Sequence, residues 1–191
     1  MEQCRLTATE LACRRGDRLL FRGLSLALDA GQALQVSAPN GMGKSSLIRI
    51  LAGLLPAYAG GVERNGTIGL LDEKPALDEH LPLGKALAFW RGVDGTADMP
   101  AELGLEPLLQ VPVHFLSTGQ RKRAALARLI GQRASIWLLD EPLNGLDRDA
   151  VARCEALVNA HCQAGGIAVV ASHQPFTLPG MAMLNLADYA A

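Results

Sequence analysis

The pattern of apolar and polar positions changes character along this chain. Leu6-Thr7-Ala8-Thr9 alternates, and so does the stretch from Leu24 to Leu28. A period of two is that of strands with one face on a core and one facing out. Asp29-Ala30-Gly31 supplies a turn after the second stretch. Residues 4–36 are therefore expected to be antiparallel β elements. Ile136-Trp137-Leu138-Leu139 and Ile167-Ala168-Val169-Val170-Ala171 are short apolar runs with no polar alternation, which suits strands buried on both faces of a parallel sheet. Leu34-Gln35-Val36-Ser37 and Ile68-Gly69-Leu70-Leu71 read as two further strands. Helices are expected at 45–55, 83–91 and 121–130. The whole segment from Pro82 to about Ile130 reads as mostly helical, punctuated by glycines and prolines between Gly92 and Pro112. Leu87 and Trp90 stand three apart and share a helix face, either for core packing or as a groove for a partner helix. From 135 onward strands and helices alternate. The expected fold class is α/β, with a mainly parallel core sheet, an N-terminal antiparallel β part and a small helical part.

The chemistry starts after the strand 34–37. Ala38-Pro39-Asn40-Gly41-Met42-Gly43-Lys44-Ser45-Ser46 follows the phosphate-binding loop pattern G-x-x-x-x-G-K-[ST], with Ala38 at the first glycine position. Gly41 and Gly43 let backbone N–H groups close around phosphate oxygens. The helix start adds a partial positive charge. Lys44 supplies a point charge for the β/γ-phosphates and the Ser45 hydroxyl suits Mg²⁺. Pro39, Asn40, Met42 and Ser46 complete the nucleotide-binding turn. The run 136–139 ends in Asp140-Glu141. Asp140 is expected in the Mg²⁺ shell, and Glu141 is expected to polarise the attacking water. These residues point to a P-loop nucleotide-binding site that works with Mg²⁺; the resemblance given next implies ATP as the nucleotide.

A third motif, Leu116-Ser117-Thr118-Gly119-Gln120, precedes that strand. Ser117 is a good N-cap and Gly119 permits close approach at a helix start. With the P-loop upstream and Asp140-Glu141 downstream, the chain resembles the ATP-binding subunit of ABC transporters over nearly its whole length. The resemblance implies one ABC-type ATPase domain over 1–191, with 1–80 and 131–191 as core and about 81–130 as a helical subdomain. It implies that Ser117, Gly119 and Gln120 contact the γ-phosphate held by a second subunit, so that two chains pair head-to-tail around two ATP molecules. It places Asp147 in a loop across that interface and makes His173 the switch histidine beside the γ-phosphate. The catalytic set is then Glu141, His173 and Lys44. Two positions depart from the family. Where it has a glutamine after the strand 68–71, this chain has Lys74, or Glu73, ahead of Pro75. Where it has an aromatic for the adenine, this chain has Arg14-Arg15-Gly16-Asp17; Arg15 is the residue able to stack on a base.

Composition narrows the context. The chain has 191 residues, enough for a sizeable core, and a net charge of −1 that gives no electrostatic case for nucleic acid. Cys4, Cys13, Cys154 and Cys162 follow no metal spacing and read as small buried residues of a reducing compartment. The start has no signal-peptide pattern, and no apolar run approaches the roughly 18–20 residues that cross a bilayer. The mean hydropathy of +0.16 fits a subunit that covers part of its surface with partners. Within the ABC class, the segments Leu11-Ala12-Cys13-Arg14 and Leu20-Phe21-Arg22-Gly23-Leu24-Ser25, with Lys74-Pro75 and a compact helical region, are most similar to the ATPase of the haem exporter of cytochrome c maturation. That implies a peripheral subunit on the cytoplasmic face of the cell membrane, bound to integral membrane subunits. A transport ATPase for another cargo, or a non-transport ABC-type module, stays open at this point.

Overall fold

A computed structural model describes residues 4–72, 74–95 and 103–190. Strands β1 (Arg5–Arg15) and β2 (Arg18–Asp29) form a long antiparallel hairpin. Its turn is clamped by Arg14, whose guanidinium donates to the Gly16 carbonyl at 2.9 Å and to Asp17 at 3.1 Å. Strand β4 (Ala59–Asn65) pairs with the other edge of β1, giving a three-stranded sheet in the order β2-β1-β4. The sequence pattern gives no sign of β4. Its Gly60-Gly61 pair and its charged Glu63 and Arg64 read as a turn, and only pairing with β1 makes it a strand.

The central sheet is parallel throughout, in the order β5-β6-β7-β3-β8. It comprises β3 (Ala33–Ser37), β5 (Ile68–Leu71), β6 (Ile136–Asp140), β7 (Ile167–Ala171) and β8 (Ala182–Asn185). Residues 33–36, expected with the antiparallel elements, belong here instead. The 29–31 turn redirects the chain, the Gly31 N–H donates to the Gly166 carbonyl at 2.9 Å, and β3 then pairs in parallel with β7 and β8. Every residue of β6 and β7 is buried. Ile136, Leu138, Ile167 and Val169 point toward α1 (Lys44–Leu51) and the antiparallel sheet, while Trp137, Leu139, Ala168 and Val170 join α3 (Thr118–Gly131) and α4 (Arg148–Gln163) in a second core. Each such Ile, Leu or Val contributes about 1.5–3 kcal/mol of burial.

Helix α1 ends at Leu51, short of the expected 55. Gly53 ends it, with a left-handed φ of 77 and the Leu54 N–H donating back to the Arg49 carbonyl at 2.8 Å; Arg64 of β4 donates to the Ile50 and Leu51 carbonyls at 2.7 and 2.6 Å and satisfies the helix end from outside. Helix α2 (Leu83–Asp94) buries Leu87 and turns Trp90 inward. The Trp90 indole donates to the Ala76 carbonyl at 2.6 Å and lies 3.7 Å beneath the Arg128 guanidinium. The shared face of Leu87 and Trp90 is therefore core packing, and Phe89 and Val93 are the exposed apolar residues of this helix. Between α2 and α3 the chain is less helical than expected. Its described part holds only short turns at Glu106–Leu108 and Val113–Phe115, both beside prolines; residues 96–102 lie outside the described residues.

One glycine carries the three-stranded sheet. Gly60 sits at φ 82, and a Cβ there would fall 2.3 Å from the Thr9 carbonyl oxygen, where β1 bulges. Gly60→Ala is expected to lower unfolding free energy by about 2–4 kcal/mol. Gly61→Ala, with open space around the new methyl, should shift it by less than about 0.5 kcal/mol. Urea denaturation of both variants checks this, and equal stability of the two would contradict it.

Candidate functional site

The P-loop, Asp140, Glu141 and His173 arrive at the C-terminal ends of β3, β6 and β7, the usual ligand edge of such a sheet. After β3, residues 38–43 wrap into a loop and α1 begins at Lys44. Gly43 has φ 104, and a Cβ there would press on Leu20 and Phe21 at 3.2 and 3.3 Å, so β2 packs directly on the loop. Met42 packs against the core beneath it. The Lys44 ammonium is 6% exposed. It donates to the Ala38 carbonyl at 2.9 Å and the Asn40 side-chain oxygen at 3.4 Å, and pairs with Glu141 Oε1 at 3.4 Å.

Glu141 follows β6 directly. Its N–H donates to the Ala171 carbonyl at 2.8 Å, extending the β6–β7 ladder one step. Its φ of 47 is left-handed, an uncommon state for a residue with a side chain. That geometry aims the carboxylate back between Lys44 and His173. Oε2 lies 2.8 Å from His173 Nδ1. Lys44, Glu141 and His173 thus form one line of contacts across the ends of β3, β6 and β7.

Asp140 is 3% exposed, and among the described residues its Oδ1 has no hydrogen-bond partner. Burial pushes its carboxyl above the usual carboxylate range. The Ser45 hydroxyl and Lys122 pull the other way, while Asp72 and Glu141 add to the rise. A buried, unpartnered carboxylate oxygen beside an exposed serine hydroxyl fits Mg²⁺, which takes one or two protein oxygens and completes its shell with phosphate and water. No cluster of three or more His, Cys, Asp or Glu suited to a metal occurs among the described residues.

One cavity of about 700 Å³ joins these groups. Of the residues singled out from sequence, Asn40, Gly41, Gly43, Lys44, Ser45, Ser46, Lys74, Asp140, Glu141 and His173 line it; Glu73 lies outside the described residues. Lys74, at the family's glutamine position, is exposed at the mouth. Arg15 is exposed on the β1–β2 hairpin and does not line the cavity. Leu20 does, and His173 is its only aromatic lining residue among those described. Asp72 and Lys122 are among the lining residues not anticipated. Asp72 follows β5 and pairs with Arg49 at 3.1 Å. Lys122 is 7% exposed; it sits in the run Arg121-Lys122-Arg123, which reads as a solvated basic stretch.

Pro39, Met42, Ser117, Gly119, Gln120 and Asp147 do not line this cavity. Ser117 caps α3: its Oγ accepts from the Gln120 N–H at 3.2 Å, and the Ser117 N–H donates to Gln120 Oε1 at 2.8 Å. The expected N-cap is there, and the Gln120 side chain completes it as a capping box. A Cβ at Gly119 would meet the Gly145 carbonyl at 2.5 Å, so the start of α3 lies directly on the 144–147 loop. Asp147 caps α4 through the Ala150 N–H at 2.8 Å. Ser117 and Asp147 are both exposed.

The ABC transporter family matches residues 21–144. A cytochrome c biogenesis ATP-binding export protein, CcmA, of Novosphingobium aromaticivorans is 56% identical over 99% of both chains. The protein of that name from Zymomonas mobilis is 46% identical over 98% of this chain and 86% of its own. Among solved structures, an ATP-binding subunit of an ABC transporter superposes with a TM-score of 0.79 at 21% identity, covering 88% of this chain and 79% of its own; this likeness shows the fold alone.

Lys44→Ala removes the buried cation on which the loop closes and which the phosphates would meet. ATP affinity is expected to fall at least about 100-fold, or 2.7 kcal/mol, by calorimetric titration with Mg²⁺ present. Affinity within threefold of wild type would contradict the assignment.

Proposed function

This chain belongs to the ABC transporter family, and from that premise we propose that its ATP hydrolysis serves cytochrome c biogenesis by driving the export or handling of haem. Activity as an ATP-binding subunit, with hydrolysis coupled to transport, comes with the family. The observation that carries the chemistry is the line from Lys44 to Glu141 to His173. Backbone N–H groups of 41–46 and Lys44 hold the phosphates. Arriving phosphate oxygens take over the Lys44 ammonium and release Glu141 Oε1. Glu141 then accepts a hydrogen bond from the attacking water, and His173 orients that carboxylate and meets the γ-phosphate. Phosphoryl transfer needs little beyond such positioning and charge stabilisation. Ser45 and Asp140 would hold Mg²⁺, which when bound neutralises charge on the phosphates. Lys74 has no acceptor oxygen, so it acts toward phosphate and not as a metal ligand.

The reading extends to assembly. One chain supplies the P-loop side of each site, and the start of α3, with Ser117 and Gly119, supplies the closing side for a second chain. Residues 1–191 act as one ABC-type unit whose helical part lies at about 81–130. No helix among the described residues is long and apolar enough to cross a membrane. On this reading the chain works as a peripheral subunit on integral membrane partners, at the cytoplasmic face, as the likeness to export ATPases suggests. The identity of 56% to a cytochrome c biogenesis export protein supports this process over another cargo.

A pull-down of the chain in gentle detergent from its native membranes, followed by mass spectrometry, tests the reading. The expected result is co-purification of small haem-handling membrane subunits. Recovery of an unrelated permease would overturn the haem assignment while leaving the ATPase intact.

A further inference from the structure

Strand β3 leads into the P-loop, and among its buried residues only Gln35 is polar. Gln35 is 3% exposed, on the same sheet side as Ala33 and the buried Phe176. A carboxamide in such a layer is costly unless both ends are hydrogen-bonded. Both are. Gln35 Nε2 donates to the Gln174 carbonyl at 2.8 Å, and Gln35 Oε1 accepts from the Phe176 N–H at 3.1 Å. The side chain therefore stands in for a strand partner to 174–176, a stretch that belongs to no strand. The same segment is tied on its other side: the Ser172 N–H donates to the Val36 carbonyl at 3.1 Å, and the Gln174 N–H donates to Ser172 Oγ at 3.0 Å.

Between those ties sits His173, whose side chain is 44% exposed and whose hydrogen bonds among the described residues go to Glu141. Its position follows the backbone that carries it. Gln174 also reaches the 144–147 loop, with Nε2 3.5 Å from Asn144 Oδ1. Two amides in series, Gln35 and Gln174, thus connect the P-loop strand, the histidine segment and the loop after Glu141. We infer that Gln35 is the positioning residue for His173, holding the 172–176 segment so that the imidazole meets Glu141. The inference rests on the role given above to His173.

In the full-length chain, Gln35→Met is expected to lower kcat for ATP hydrolysis about 10- to 100-fold, with KM for ATP changed less than about threefold. The double variant Gln35→Met/His173→Ala should fall no further than His173→Ala alone, because both remove the same arrangement. Amide hydrogen exchange at 172–176 should accelerate at least about tenfold while β6 and α1 keep their protection. Wild-type turnover in Gln35→Met, or losses that multiply in full in the double variant, would overturn the inference. If His173→Ala alone leaves turnover unchanged, the chemical role of His173 fails, and exchange alone decides whether Gln35 holds the segment. Should Gln35→Met not fold, Gln35→Glu keeps the acceptor for Phe176 and loses the donor to Gln174. Faster exchange confined to 172–176 then supports the inference, and unchanged exchange contradicts it.

Discussion

A lysine ammonium that is 6% exposed must have a partner, and that requirement organises this molecule. Lys44 finds its partners in the Ala38 carbonyl, Asn40 and the Glu141 carboxylate. Glu141 in turn stands in a left-handed backbone state that costs on the order of 1–3 kcal/mol. The ladder bond from its N–H to Ala171 and the pairing with Lys44 and His173 offset that cost. Each of the three residues follows the C-terminal end of a different parallel strand. The sheet order places β7 between β6 and β3, so the ends of the three strands are neighbours. Removing a single partner would leave a buried charge uncompensated, which is far more costly than the pair is stabilising. The same arrangement is poised for exchange: a phosphate offers Lys44 a better counter-charge than Glu141 does, and frees Glu141 for water.

The division of the site between two faces follows from the packing of α3. Its N-terminus lies so close to the 144–147 loop that Gly119 admits no side chain. Ser117 and Asp147 are exposed beside that contact, outside the cavity that holds Lys44. On the function proposed above, this exposed helix end and the exposed loop beside it are where a second copy would dock. At the other end of the cavity the wall is aliphatic, with Leu20 where an aromatic platform would be expected.

Much of this was legible in the sequence because its signals are local. The P-loop, the buried runs of β6 and β7, and the N-cap at Ser117 are each set by a few adjacent residues. Strand β4 was not legible, since its glycines and charges make sense only against the bulge in β1 and the end of α1, which Arg64 caps. Asp72 and Lys122 escaped for a similar reason. Each looks like an ordinary surface charge in sequence and becomes part of the cavity only when β5 and α3 are set beside β6. Gln35 lay inside an anticipated strand, yet its partners are 139 and 141 residues away.

The central claim is that a nucleotide held by Lys44 needs the α3 end of a second chain and the Glu141 carboxylate to react. Light scattering coupled to size-exclusion chromatography of Glu141→Gln, with and without saturating ATP and Mg²⁺, tests it most directly. The account predicts that the variant, which keeps its phosphate contacts but cannot activate water, doubles its mass when ATP is present. A variant that binds ATP and stays monomeric at concentrations of about 100 μM, where even a weak pair of about −6 kcal/mol would form in part, would contradict it.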